Sequence, residues 1–411
     1  MFLNLLISTP YVPFHLISTL MASIMLPSII QGLVGAALSF ILYYVYWELT
    51  VGASRRTLIK KHDCKPIKDT AELNGFVNTI FGLHILRQNL TAHKAGRFLD
   101  NVRERYNRNG NTFHGKVMLT EFWMTIEPEN LKTIMAVNFK DWELGERRKT
   151  AFTPLLGHGI FTTDGHAWQH SRELLRPNFA RSQVGDLATF EIHVDQMIRA
   201  IPHDGSTVNL QDLFFQLTLD SATEFLFGES TDCLASGKVA VRNLRFAEAF
   251  NRSQEAIAEI TRSGKLGQWL RNSSFKNDVK FVHEFVDHFV YKGLEYRNTL
   301  DLSKGPPEPK EGERYVFLNE LAKRNADPIQ IRSELLNVLL AGRDTTASLL
   351  SDVWFVLARR PDIWAKLRAE VDELGGEQPT YQQIKDMKYL RMVLNEGKTP
   401  SCHLSCHPAN R

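Results

Sequence analysis

The sequence predicts a mainly helical (α+β) domain behind an N-terminal membrane helix. Three observations carry that expectation. Met1 to Trp47 contains no Asp, Glu, Lys or Arg, and its densest part, Leu26 to Trp47, is long enough to span a bilayer as a helix. From about Ala71 onward the composition is that of a soluble domain, with apolar residues recurring at helical spacing. Pro328 to Ala358 reads as one helix that is apolar on nearly every face, the mark of a core helix or a membrane span. Arg332, Glu334, Arg343, Asp344 and Asp352 within it argue for the core.

Composition bounds the rest. The 411 residues are 43% hydrophobic and 23% charged, ample for a large core in one big domain or two. A formal net charge of +3 gives no case for nucleic acid. Cys64, Cys233, Cys402 and Cys406 are too few and too scattered for a disulfide scaffold.

In chain order, residues 1–50 are the anchor region. Tyr43, Tyr44, Tyr46 and Trp47 form an aromatic belt at its end, and Arg55, Arg56, Lys60, Lys61 and Lys65 follow. That asymmetry places the remainder in the cytosol, on a single-pass anchor in contact with lipid headgroups. A cleaved signal peptide competes, but it would carry a basic start and a shorter apolar run. Met1 to Met25, broken by Pro10 and Pro13, fits a lumenal, interfacial or partly inserted segment.

Residues 51–396 form the domain. Asn130 to Met135 suggests a short helix, and Gly157 to Asp164 a turn-rich loop. A helix opens at Gly165 and ends near Arg176-Pro177. Its Trp168 and Arg172, four apart, share a face. An indole N–H beside a guanidinium suits a carboxylate-bearing ligand, or simply makes a cation–π pair on a surface helix. Asp212 to Glu229 reads as a buried helix. Leu244 to Leu270 and Lys276 to Arg297 read as amphipathic ones, the latter with Phe281, Phe285 and Phe289 at spacing four. Leu300 to Arg314 is a Pro/Gly/charge linker. Two more helices follow the central one, at Pro361 to Leu374 and ending at Leu394 to Glu396.

The central helix starts at an Asp327 N-cap with Pro328 in the first turn. Its middle, Ala341-Gly342-Arg343-Asp344-Thr345-Thr346, interrupts the apolar pattern. Gly costs about 1 kcal/mol relative to Ala inside a helix, and Thr side chains bond back to backbone carbonyls. Together they predict a local distortion and a bare surface on which a flat ligand could lie. Asp344 beside Thr345 pairs a carboxylate with a hydroxyl, the groups that pass protons to a buried site. The plainer alternative is a kinked core helix with a hydrogen-bonded Asp.

After Glu396 the pattern changes. Gly397 to Pro400 is expected to stop the helix, and residues 397–411 read as an aberrant, disordered tail. Cys402, His403, Cys406 and His407 are metal-ligand types, but they are too close together for a two-armed zinc module. No metal site is assigned.

Four segments taken together resemble the cytochrome P-450 superfamily of haem-thiolate monooxygenases. They are the anchor with its basic flank, Trp168-x-x-x-Arg172, Ala341 to Thr346, and the helix carrying Glu396. Finer stretches resemble the fungal membrane-bound alkane and fatty-acid hydroxylases. These are KKHDCKP at 60–66, FTTDGHAWQHSRELLRPNFAR at 161–181, DSATEFLFGES at 220–230, FAEAFNRSQ at 246–254 and LLNVLLAGRDTTASLLS at 335–351. The resemblance implies the cytochrome P-450 fold with haem as cofactor. Trp168 and Arg172 would hold a propionate, Ala341 and Gly342 would lie against the porphyrin, and Asp344 and Thr345 would supply protons. Glu396 would be the remnant of a structural Glu-x-x-Arg motif. It also implies an NADPH-cytochrome reductase as electron donor and a long-chain apolar substrate oxidised at a terminal carbon. The setting would be the endoplasmic reticulum membrane, facing the cytosol.

The chain departs from that pattern at its end. Thr399 stands where the motif has Arg, and the axial cysteine loop is absent, so no metal ligand is expected. Neither Cys402 nor Cys406 has the context of the axial cysteine. The expectation is a C-terminally truncated member, inactive as written, with an out-of-frame tail. The alternative is a non-catalytic membrane protein that binds apolar ligands or regulates a relative.

Overall fold

The computed structural model describes residues 31–404, apart from 33, 62, 65–66, 70–81, 118–119, 180–186, 236–237, 263–271, 302 and 304–314. Side chains at 238–242 and from 398 onward are also outside the description. The chain divides into two compact units, residues 1–67 and 68–411.

In the first unit, α1 spans Val34–Lys61, with a π-helical turn at Glu48–Gly52. Phe40, Leu42, Tyr43, Tyr46 and Leu49 all project outward. Among the described residues it is the helix long and apolar enough to cross a membrane. The expected segment Met1 to Met25 and the start of the span lie outside the described residues.

The second unit begins with a small sheet. β1 (Lys68–Asp69) pairs in parallel with β2 (Thr112–Val117), which pairs antiparallel with β3 (Thr120–Thr125). The β2–β3 register sets His114 opposite Trp123, and their rings lie 4.9 Å apart. Alternation along β2 turns Phe113 and Val117 inward. Helices α2 (Leu83–Lys94) and α3 (Phe98–Asn109) lie between β1 and β2 in the chain, and the short α4 (Pro128–Lys132) follows β3.

The helical body is α5 (Gly145–Leu156), α6 (Gly165–Leu175), α7 (Leu187–Ala200), α8 (Leu210–Phe227), α9 (Lys238–Arg262), α10 (Ser273–Asn298), α11 (Phe317–Arg324) and α12 (Pro328–Leu357). It closes with α13 (Pro361–Asp372), α14 (Tyr381–Asp386) and α15 (Lys388–Leu404). The expected linker at 300–314 falls largely outside the described residues.

The organising element is α12, which packs along α8, α10 and α15. Asp327 Oδ1 accepts from the Ile329 N–H at 2.9 Å, and Pro328 occupies the first turn. Its apolar surface meets an aromatic core in which Phe246 stacks on Phe285 at 4.2 Å and Phe227 on Phe289 at 4.7 Å. Phe281, the third member of the spacing-four series, stays half-buried beneath Arg245.

Two expectations are corrected. The α-helix of α12 runs without a break through Ala341 to Thr346. The reason is local: Thr345 Oγ1 donates to the Ala341 carbonyl at 2.7 Å, and open space surrounds Gly342, so nothing forces the backbone apart. And α15 does not stop at Gly397 to Pro400 but continues to Leu404. Proline removes one N–H and crowds the preceding turn, yet helical bonding resumes beyond it. Gly397 is buried where α15 meets α12, and a Cβ there would collide with Val353.

Candidate functional site

An apolar cavity of about 690 Å³ lies along the middle of α12. Val338, Ala341, Gly342, Thr346 and Leu350 from α12 line it. Arg172, Leu175 and Arg176 from the end of α6 line it too, with Ile160 and Phe161 of the preceding loop. Phe190 and Val194 of α7 and Leu217, Ser221 and Phe225 of α8 complete the apolar wall.

The helical spacing of α12 puts Val338, Ala341, Gly342 and Thr346 on this side. Outside its chain neighbours and its own helix backbone, no described atom comes within 4 Å of a Cβ built on Gly342, so the helix surface there is bare. Facing it are two guanidiniums four residues apart. Arg172 lies 5.3 Å from the Trp168 ring centroid, and Arg176 is exposed. Neither has an acidic partner among the described residues. An apolar chamber with two cations on one side suits a ligand with a flat apolar body and negative charges at one edge.

The expected site residues do not all meet there. Arg172, Ala341 and Gly342 line the cavity together. Trp168 does not line it. Its half-buried ring lies 5.3 Å from that of Phe139 and beneath Arg172, which is the cation–π geometry. Thr345 is exposed and turned to its own backbone. Asp344 points to the far side of α12, where its Oδ1 accepts from Arg343 Nη1 at 3.0 Å and Gln254 reaches it. Burial pushes the Asp344 carboxyl above its ordinary value, and Arg343 opposes that shift. Glu396, near the middle of α15, is exposed.

Several residues that the sequence reading passed over organise the site. Arg343 is 2% exposed, donates to Asn251 Oδ1 at 2.6 Å, and lies 5.1 Å from the Phe215 ring centroid. Burial lowers its pKa, while Asp344 supports the charge. Asn251 and Gln254 fall in the FAEAFNRSQ stretch, whose role shows only when α9 crosses α12. Glu334 and Asn337, both 0% exposed, hold the loop before α6. The signal for them was visible: two polar side chains inside a run that is otherwise apolar.

Among the described residues, no group of three His, Cys, Asp or Glu could hold a metal ion. Of the described cysteines, Cys64 is exposed and Cys233 is buried, and neither lines the cavity. Burial, with Asp220 adding to it, pushes the Cys233 thiol up to about 12, so it is not a thiolate. The side chains of Cys402 and His403, and Cys406 and His407 entirely, lie outside the described residues.

The family model described as Cytochrome P450 matches residues 75–397. Cytochrome P450 monooxygenase fsdH of Fusarium heterosporum is 39% identical over 369 residues, 86% of this chain and 63% of its own length. Cytochrome P450 52A5 of Candida maltosa is 40% identical over 336 residues, 77% of this chain and 62% of its own. Cytochrome P450 52A7 of Candida tropicalis is 39% identical, covering 86% and 70%. The chain spans about three fifths of the length of the first two of these relatives.

Proposed function

The chain belongs to the cytochrome P450 family, and on that premise we propose that the α12 cavity is a haem site. The observation that carries this is the pair Arg172 and Arg176, cations with no acidic partner among the described residues, at the edge of a chamber whose floor is Ala341 and Gly342. The residues fit the group: the bare helix surface accepts a flat macrocycle, and the two guanidiniums accept its two propionates. When bound, haem supplies oxygen activation.

The chain's own residues do the rest. Arg172 and Arg176 orient the group by its anionic edge. The apolar wall of α7 and α8 excludes water and offers a long-chain apolar substrate its binding energy. Thr345, bonded back to the Ala341 carbonyl, and Asp344, on the far side of α12 and biased toward its protonated form by burial, would supply protons after a side-chain rearrangement toward the cavity. For the whole protein, the reading is monooxygenation of long alkanes or fatty acids at a terminal carbon, with electrons from an NADPH-dependent reductase. Helix α1 would hold it in the endoplasmic reticulum membrane.

A second reading is favoured by one observation: no described cysteine lines the cavity, and the buried Cys233 keeps its proton. On that reading the chain binds apolar ligands or haem without thiolate chemistry. A carbon-monoxide difference spectrum of reduced membranes expressing the 411-residue chain separates the two. A red-shifted Soret band of thiolate type supports monooxygenase chemistry in this chain. A haem signal without that band supports the second reading. No haem signal, with the protein present on a blot, refutes the haem site.

A further inference from the structure

We propose that Glu334 and Asn337 are positioning residues that set the arginine helix α6 against the floor of the cavity. The inference rests on the reading of that cavity as a haem site. The loop 157–163 connects α5 to α6 and contributes Ile160 and Phe161 to the cavity wall. It is anchored to α12 at buried polar atoms. Asn337 Oδ1 accepts from the Phe161 N–H at 2.9 Å, and its Nδ2 donates to the Leu156 carbonyl at 3.0 Å and to its own helix at Ser333 at 2.7 Å. Glu334 Oε2 accepts from the Ile160 N–H at 3.3 Å. The Ser171 side chain also lies against the Glu334 carboxyl, and Ser171 directly precedes Arg172.

Glycines bring the loop this close. Gly157 has φ +65°, and a Cβ there would land on Ser333 Oγ. A Cβ on Gly159 would land on the Asn337 amide. Thr162 braces the loop from within, since the Gly159 N–H donates to Thr162 Oγ1 at 2.9 Å and Thr162 Oγ1 donates to the Gly157 carbonyl at 2.7 Å. The loop therefore has a defined height over α12 rather than a sliding contact. Asn337 lies one turn before Ala341 on the same helix, and Glu334 meets Ser171, the residue before Arg172, at the other end. These two side chains thus link the surface that would carry the macrocycle to the cation that would take its carboxylate. A helix built only for packing would place apolar residues at both positions, because burying an amide and a carboxyl is costly unless each is bonded.

The test titrates haemin into the purified full chain in detergent, following Soret absorbance, and measures thermal unfolding of the same samples without haemin. Variants are Asn337→Ala, Glu334→Ala, the conservative Glu334→Gln, and Phe246→Leu as a core control away from the cavity. The expected result is haemin affinity weakened about tenfold, with a shifted Soret maximum, in Asn337→Ala and Glu334→Ala. Glu334→Gln, which still accepts from Ile160, restores most of the affinity. Phe246→Leu loses thermal stability yet binds haemin as the wild type does. Equal binding by Asn337→Ala and wild type overturns the inference while leaving the haem site standing. So does a Phe246→Leu loss as large as that of Asn337→Ala. Wild-type chain that takes up no haemin refutes the haem site, and the inference with it.

Discussion

Replacing Gly342 by Ala should make the apo protein more stable and its ligand binding weaker. Gly342 sits inside the α-helix of α12, and nothing lies within 4 Å of the Cβ that alanine would add. Alanine is favoured over glycine in a helix interior by about 0.5–1 kcal/mol, and no clash offsets that gain. The same methyl group would project from the cavity floor. A flat ligand in van der Waals contact with the backbone would have to lift or tilt, at about 1–3 kcal/mol, or roughly fivefold to a hundredfold in affinity. Urea unfolding followed by circular dichroism reads the first effect, and haemin titration of the same samples reads the second. Unchanged haemin affinity in a stabilised variant would refute the placement of a ligand on this surface. Loss of apo stability would show that the space beside Gly342 is filled. Gly293 is the contrast: a Cβ there would meet Leu318 Cγ at 2.6 Å, so Gly293→Ala should destabilise the protein.

Asp220, fully buried, accepts from Thr231 Oγ1 at 2.7 Å and from the N–H groups of Cys233 and Leu234 at 2.8 and 3.0 Å. Asp220→Ala strands three donors and should cost about 3 kcal/mol or more in urea unfolding, with Asp220→Asn clearly milder. Burial holds Glu334 above its ordinary carboxyl value, against hydrogen bonds from Ser171 and Ile160. The folded chain thus keeps that proton to higher pH than the unfolded chain. Its contribution is complete at low pH and is lost as pH rises through the raised value. Glu334→Gln should therefore gain on wild type as pH rises above the ordinary carboxyl range, and a pH-independent difference would contradict the burial. Cys233, with its thiol pushed up to about 12, should resist maleimide labelling in the native state while Cys64 reacts, as peptide mass mapping would report.

Much of the scaffold was legible because its signals are local. The Asp327-Pro328 start of α12, the opening of α6 at Gly165 after a turn-rich loop, and the phenylalanine series of α10 need only capping and turn preference and helical spacing. The site was legible in part. Arg172, Ala341 and Gly342 share the cavity as the resemblance implied, whereas Asp344 turns to α9 and Trp168 to Phe139. Side-chain direction at those two positions depends on which neighbouring helix offers a partner, and no spacing rule encodes that. The end of α15 was misread because Gly and Pro were weighed as local stops.

The sequence by itself determined the helical class, the apolar N-terminal segment and the polar interruption of the central helix, since each is written in the order of neighbouring residues. Only the tertiary structure decided that Arg176 joins Arg172 at the cavity and that Arg343 is buried between Phe215 and Asn251. It also decided that Glu334 and Asn337 anchor the loop before α6. Apart from the two arginines, those partners come from elements far apart in the chain. A buried polar side chain acquires its role only when folding removes water and leaves one set of hydrogen-bonding groups within reach.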